Sequence, residues 1–121
     1  MGGTIALLVS QGHTVTLIDM TSGEPTPFGS PEVRSCEAAA AAEILGVQRV
    51  PLGLINREVL YGLESRHSLA AEYRRLRPDI LFIPYPQDAH PDHLGDGLKE
   101  TIDPRCRILY GYLSPVYLQS F

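Results

Sequence analysis

The sequence has no tryptophan, two cysteines, four histidines and, among its ten basic residues, a single lysine, Lys99. The shortage of lysine and the net charge of −4 exclude a nucleic-acid surface, since phosphate binding draws on clustered Lys and Arg. The one basic cluster, Arg74, Arg75 and Arg77, sits at the end of a predicted helix, where positive charge suits the helix dipole. Cys36 and Cys106 are far apart and form no CxxC pair, so neither a disulfide framework nor a thiol metal site is expected; a reducing cytoplasm is the default. Ile5–Val9 is apolar but much shorter than the ~18 to 20 residues a membrane span needs. No basic residue precedes it as in a signal peptide.

What remains is one domain's worth of chain. At 121 residues and 44% hydrophobic content, a single core is expected, and glycine plus proline stay below the level of a low-complexity chain. Periodicity alternates between helical and extended. Thr4–Ser10 reads as a helix closed by Gly12, and Thr14–Met20 as a strand. Ser30 as N-cap and Pro31 at the first helical position open a second helix, which Gly46 closes; Val33, Cys36, Ala40 and Ile44 share one of its faces. The Ala38–Ala42 run suits close helix-on-sheet contact. Val47–Val50 is a short strand candidate stopped by Pro51. Leu69, Tyr73 and Leu76 mark a third helix that must end before Pro78. The uniformly apolar Ile80–Ile83 suits a central parallel strand, another helix is expected near Pro91, and Arg107–Tyr112 gives a last strand.

This order predicts an α/β fold, a Rossmann-like three-layer α/β/α arrangement around a mostly parallel sheet. Ligands bind such sheets at the loops after the strands' carboxyl ends, here Thr21–Ser30, Leu52–Gly62 and Pro84–His93. His13 falls at the opposite edge, and His67 in a polar helical turn. The third loop, within YPQDAHPDHL, collects Asp88, His90, Asp92 and His93, a candidate metal or acid/base constellation. Spacing alone does not carry that reading, because an HxxH pair arises readily by chance, and the weaker alternative is that Asp92 merely caps a helix with both histidines exposed. Placement after a core strand strengthens it. A fold of this kind normally opens on a strand, whereas Met1-Gly2-Gly3 leads directly into a helix. The first strand is therefore expected to be missing and the single 1–121 domain to be incomplete at its N-terminus, with marginal or self-associating behaviour.

The stretches GGTIALLVSQGHTVTLIDMTSGE, GSPEVRSCEAAAAAEILGV, LRPDILFIPYPQDAHPDH and RILYGY together resemble the LmbE-like or PIG-L family of zinc-dependent de-N-acetylases. The resemblance runs in order from residue 1 to about residue 94. It implies a zinc cofactor and a small-molecule N-acetylglucosamine-type sugar or conjugate as substrate, with no nucleic-acid or membrane partner. By position it implies His93 as a metal ligand, His90 as the oxyanion-stabilising histidine, Asp92 as the carboxylate orienting it, and Arg34 as a substrate contact. Asn56 and Arg57 occupy the family's substrate loop, where members often carry an acidic residue and a glycine, which puts Asn56 at a substrate-binding position. The family's AHPDDE-type motif, source of the remaining zinc ligands and the general base, should lie just before Gly2-Gly3 and is not in the sequence; the carboxyl-terminal part is also expected to be short. A second reading is a non-catalytic remnant of the same fold with a sugar or partner surface. A third, less favoured, is a nucleotide-binding Rossmann domain using Gly2-Gly3 as its phosphate loop, although GxGxxG is absent.

Overall fold

A computed structural model of the protein describes residues 1–22, 30–55, 63–84 and 108–112. The elements are α1 (Gly2–Ser10), β1 (Thr16–Thr21), α2 (Pro31–Leu45), β2 (Gln48–Leu54), α3 (Leu63–Leu76), β3 (Ile80–Pro84) and β4 (Ile108–Tyr112). The chain divides into two compact units, Met1–Asn56 and Arg57–Phe121. Both described strand pairs, β1 with β2 in the first unit and β3 with β4 in the second, are parallel, as the alternating sequence predicts.

In the first unit, helix ends are set by local chemistry. The Ser30 hydroxyl accepts from the Val33 amide at 3.3 Å, with Pro31 following at the first helical position. At the other end Gly46 adopts φ 68°, and its amide and that of Val47 return to the Glu43 and Ala42 carbonyls at 3.1 and 3.0 Å. Helix α1 closes in the same way: Gly12 lies at φ 85°, and the Gly12 and His13 amides donate to the Val9 and Leu8 carbonyls at 2.9 and 3.1 Å. Both are six-residue caps that need a left-handed residue, which glycine adopts without penalty. The two caps meet, since a Cβ at Gly46 would lie 3.5 Å from Val9 Cγ1. Helix α1 begins at Gly2, so Gly2 and Gly3 are helical and form no phosphate loop.

Strand β2 corrects one expectation. It runs through Pro51 to Leu54 instead of stopping at Val50. Proline weakens a ladder only where its missing N–H would face a partner, and alternate residues of β2 point that group away from β1, its one partner among the described strands. The register advances by one residue along the pair: Asp19 aligns with Pro51 but Thr21 with Leu54. Gly53, at φ 68°, lies in this irregular stretch of β2.

A second difference concerns α2. Val33 and Ile44, on the face the hydrophobic spacing marks, are 49% and 84% exposed, while the half-buried positions are Ala38, Ala42 and Leu45. The small alanines are the ones turned inward, and α2 packs against β2 as the Ala38–Ala42 run suggests.

In the second unit, α3 buries Leu69 and Tyr73 on one face. It carries Glu64 in its first turn and Arg74 and Arg75 in its last, with Arg75 paired to Glu72 at 2.6 Å. The helix ends at Leu76, and Arg77 turns into the left-handed region at φ 48° ahead of Pro78. Strand β3 buries Ile83 but leaves Ile80 42% exposed, so the evenly apolar run is not evenly covered. The helix expected near Pro91 lies outside the described residues.

Candidate functional site

In a unit where a helix joins two parallel strands, the helix runs back against them, so its N-terminus lies at the strands' carboxyl edge. Helix α2 joins β1 to β2 in this way. Ser30, Pro31 and the first turns of α2 therefore stand at the edge where α/β folds bind ligands.

Arg34 is the fourth residue of that helix. Its amide donates to the Ser30 carbonyl at 3.0 Å, so its backbone is fixed by the cap. Its guanidinium makes a loose ion pair with Glu37, Nη1 to Oε2 3.6 Å, with the two side chains 50% and 62% exposed. A pair this exposed contributes little, which leaves a cation at the start of α2 whose guanidinium keeps donors available to a ligand. Beside it, Glu32 has its carboxyl held below the ordinary range, chiefly by a hydrogen bond with the Ser30 hydroxyl.

The other residues singled out from sequence, Asn56, His90, Asp92 and His93, lie outside the described residues, as does Asp88. Among the described residues, no three His, Cys, Asp or Glu side chains come together to hold a metal ion. His13 and His67 are both exposed, His13 in the cap of α1 before β1 and His67 on α3. Cys36 is a free, exposed thiol.

Sequence reasoning missed a polar arrangement beneath α2. Arg49, on β2, grips Asp19, on β1, through both Nε and Nη2; the Nη2 to Oδ1 distance is 2.8 Å. Its Nη1 also points to the Ala38 carbonyl of α2 at 3.4 Å. The hydrogen bond with Asp19 holds the guanidinium's pKa above its already high ordinary value. Both side chains are 30% exposed. The two residues are thirty apart in sequence, and only the β1–β2 register brings them together: Arg49 aligns with Leu17, two positions from Asp19 and on the same face.

These features define an α/β protein of Rossmann type. Residues 1–95 match the family PIG-L, GlcNAc-PI de-N-acetylase, and the chain belongs to that family. The conserved protein TT1542 from Thermus thermophilus is similar at 33% identity with a TM-score of 0.83, over 94% of this chain and 59% of that one. N,N'-diacetylchitobiose deacetylase from Pyrococcus horikoshii is similar at 33% identity with a TM-score of 0.70, over 81% of this chain and 41% of that one. GalB, the 4-carboxy-2-hydroxymuconate hydratase from Pseudomonas putida KT2440, is similar at 28% identity with a TM-score of 0.67, over 83% and 48%. The chain thus spans between two fifths and three fifths of the length of these structures. Among the described residues, no helix is long and apolar enough to cross a membrane.

Proposed function

We propose that the chain is part of a cytoplasmic, zinc-dependent enzyme that removes the acetyl group from an N-acetylglucosamine-type sugar or conjugate. The observation that carries this reading is the family match over residues 1–95, which reaches through the HPDH stretch. The chitobiose deacetylase, at 33% identity, supports a sugar amide as the substrate class. In this reading His93 is a zinc ligand. A bound zinc ion supplies activation of a water toward the amide carbonyl. A catalytic zinc takes about three protein ligands, so His93 needs two further donors of the AHPDDE type, which residues 1–121 do not contain.

The chain's own residues then divide the remaining work. His90, protonated, donates a hydrogen bond to the oxyanion formed as the carbonyl is attacked; one well-placed donor of this kind contributes about 3 to 4 kcal/mol. In this reading Asp92 is the carboxylate that orients His90. Arg34 donates to sugar oxygens from the α2 N-terminus, and Asn56 does so from the loop after β2.

The test is zinc content and acetate release from N,N'-diacetylchitobiose, measured on the whole gene product. His93→Ala is expected to lose bound zinc together with activity, and His90→Ala to keep zinc while kcat falls about 10²- to 10³-fold. Unchanged acetate release in His93→Ala overturns the assignment. The hydratase neighbour gives the experiment a control substrate, since turnover of an unsaturated hydroxy acid in place of the sugar would mark hydratase chemistry on the same fold.

A further inference from the structure

Helix α2 is well formed at both ends, yet its cap hydrogen bonds are local, and beyond the meeting of Gly46 with Val9 the described residues of the caps do not fix how it lies on the sheet. None of its side chains is buried, and its inward positions, Ala38, Ala42 and Leu45, are only half-covered. Apolar contact of this kind is non-directional and lets a helix slide or roll by a fraction of a turn. Among the described residues, a directional tie is provided by one group. The Arg49 guanidinium is itself oriented by two bonds to Asp19, and its third nitrogen reaches a backbone carbonyl of α2 rather than a flexible side chain. That carbonyl belongs to Ala38, four residues beyond Arg34 and so about 6 Å further along a rigid helix.

We propose that Asp19 and Arg49 are positioning residues that set α2 against β1–β2 and thereby hold Arg34 at the ligand edge. The planar fork explains the choice of arginine, because lysine could hold Asp19 or Ala38 but could not hold both in fixed directions. The inference rests on the assignment of Arg34 as a sugar contact, and its test separates the two.

Amide hydrogen exchange is followed in α2 and α3 of the purified chain carrying Arg49→Met, Arg49→Lys, Asp19→Asn or Arg34→Ala, alongside calorimetric titration with N-acetylglucosamine. Arg49→Met is expected to speed exchange across α2 about tenfold while α3 keeps its rates. Asp19→Asn and Arg49→Lys are expected to fall between Arg49→Met and the parent chain, and Arg49→Lys also serves if the methionine variant does not fold. Sugar affinity is expected to fall several-fold in Arg49→Met and to fall no further when that change is added to Arg34→Ala. Unchanged exchange in α2, an equal rise in both helices, or a full additional loss of affinity on top of Arg34→Ala each overturns the proposal. Loosened α2 in a chain whose parent shows no sugar binding upholds the tie between Arg49 and the helix, and overturns the role assigned to Arg34.

Discussion

Helices α2 and α3 are of nearly equal length, fifteen and fourteen residues, and are held by different means. Helix α3 buries Leu69 and Tyr73 to 4% and 7% exposure and carries opposite charges at its two ends. Helix α2 buries nothing fully; it depends on the Ser30 cap, the left-handed Gly46 and the grip of Arg49 on Ala38. One helix is secured by buried side chains and the other by its caps and a polar contact at mid-length. The lesson is that a helix can be fixed by polar contacts, leaving its outer face free of packing constraints.

The sharpest way to break that contrast is to remove apolar groups from each. Leu69→Ala is expected to cost about 2 to 4 kcal/mol in urea unfolding, as for other buried leucines. Ile44→Ala, at a position 84% exposed, is expected to stay within about 0.5 kcal/mol of the parent. Equal losses would show that the outer face of α2 is covered in solution. Next in size is Gly46→Ala, where a Cβ meets only ordinary contact with Val9, so the loss of about 1 to 2 kcal/mol comes from the backbone conformation. Ser30→Ala should cost about 1 kcal/mol, seen as a lower thermal midpoint.

The smallest expected effect is that of pH on Glu32. Because its carboxyl is held below the ordinary value of 4.5, the folded state is favoured while the group is ionised. That contribution is present above about pH 4.5 and is lost as pH falls through the lowered value. Melting curves of Glu32→Gln and the parent should therefore differ slightly at neutral pH and converge in acid; a gap that persists to pH 2 contradicts the Ser30–Glu32 contact.

Much of the fold is legible because its signals are local. Ser30-Pro31, Gly12, Gly46 and Pro78 act through bonds within a few residues, and each marks a helix end where expected. Two features are not legible for the same reason. Which face of α2 turns inward depends on what packs beneath it, so the larger Val33 and Ile44 mark the wrong side while alanines make the contact. The course of β2 past Pro51 depends on which edge meets β1. Of the site residues expected from the sequence, Arg34 alone falls among the described residues, in the first turns of α2 as its stretch of sequence suggests. The Asp19–Arg49 pair could be found only by placing two strands in register first, although a lone Asp in TLIDM and a lone Arg in QRVPL, each set in apolar company, are a signal to try that pairing.

The added residue near Gly53 acts as a phase shift. Up to Pro51 the two strands keep step at an offset of 32 positions, and by Leu54 the offset is 33. A strand is a two-beat rhythm in which odd and even residues take opposite sides, and here the extra beat is absorbed: Pro51 and Leu54, three residues apart, align with Asp19 and Thr21, which share one face of β1. Deleting Gly53 would leave Leu54 opposite Thr21 in an even ladder. A single-residue difference at this point is therefore tolerable, because it can be taken up in the irregular stretch without turning over the face delivered to the loop that follows.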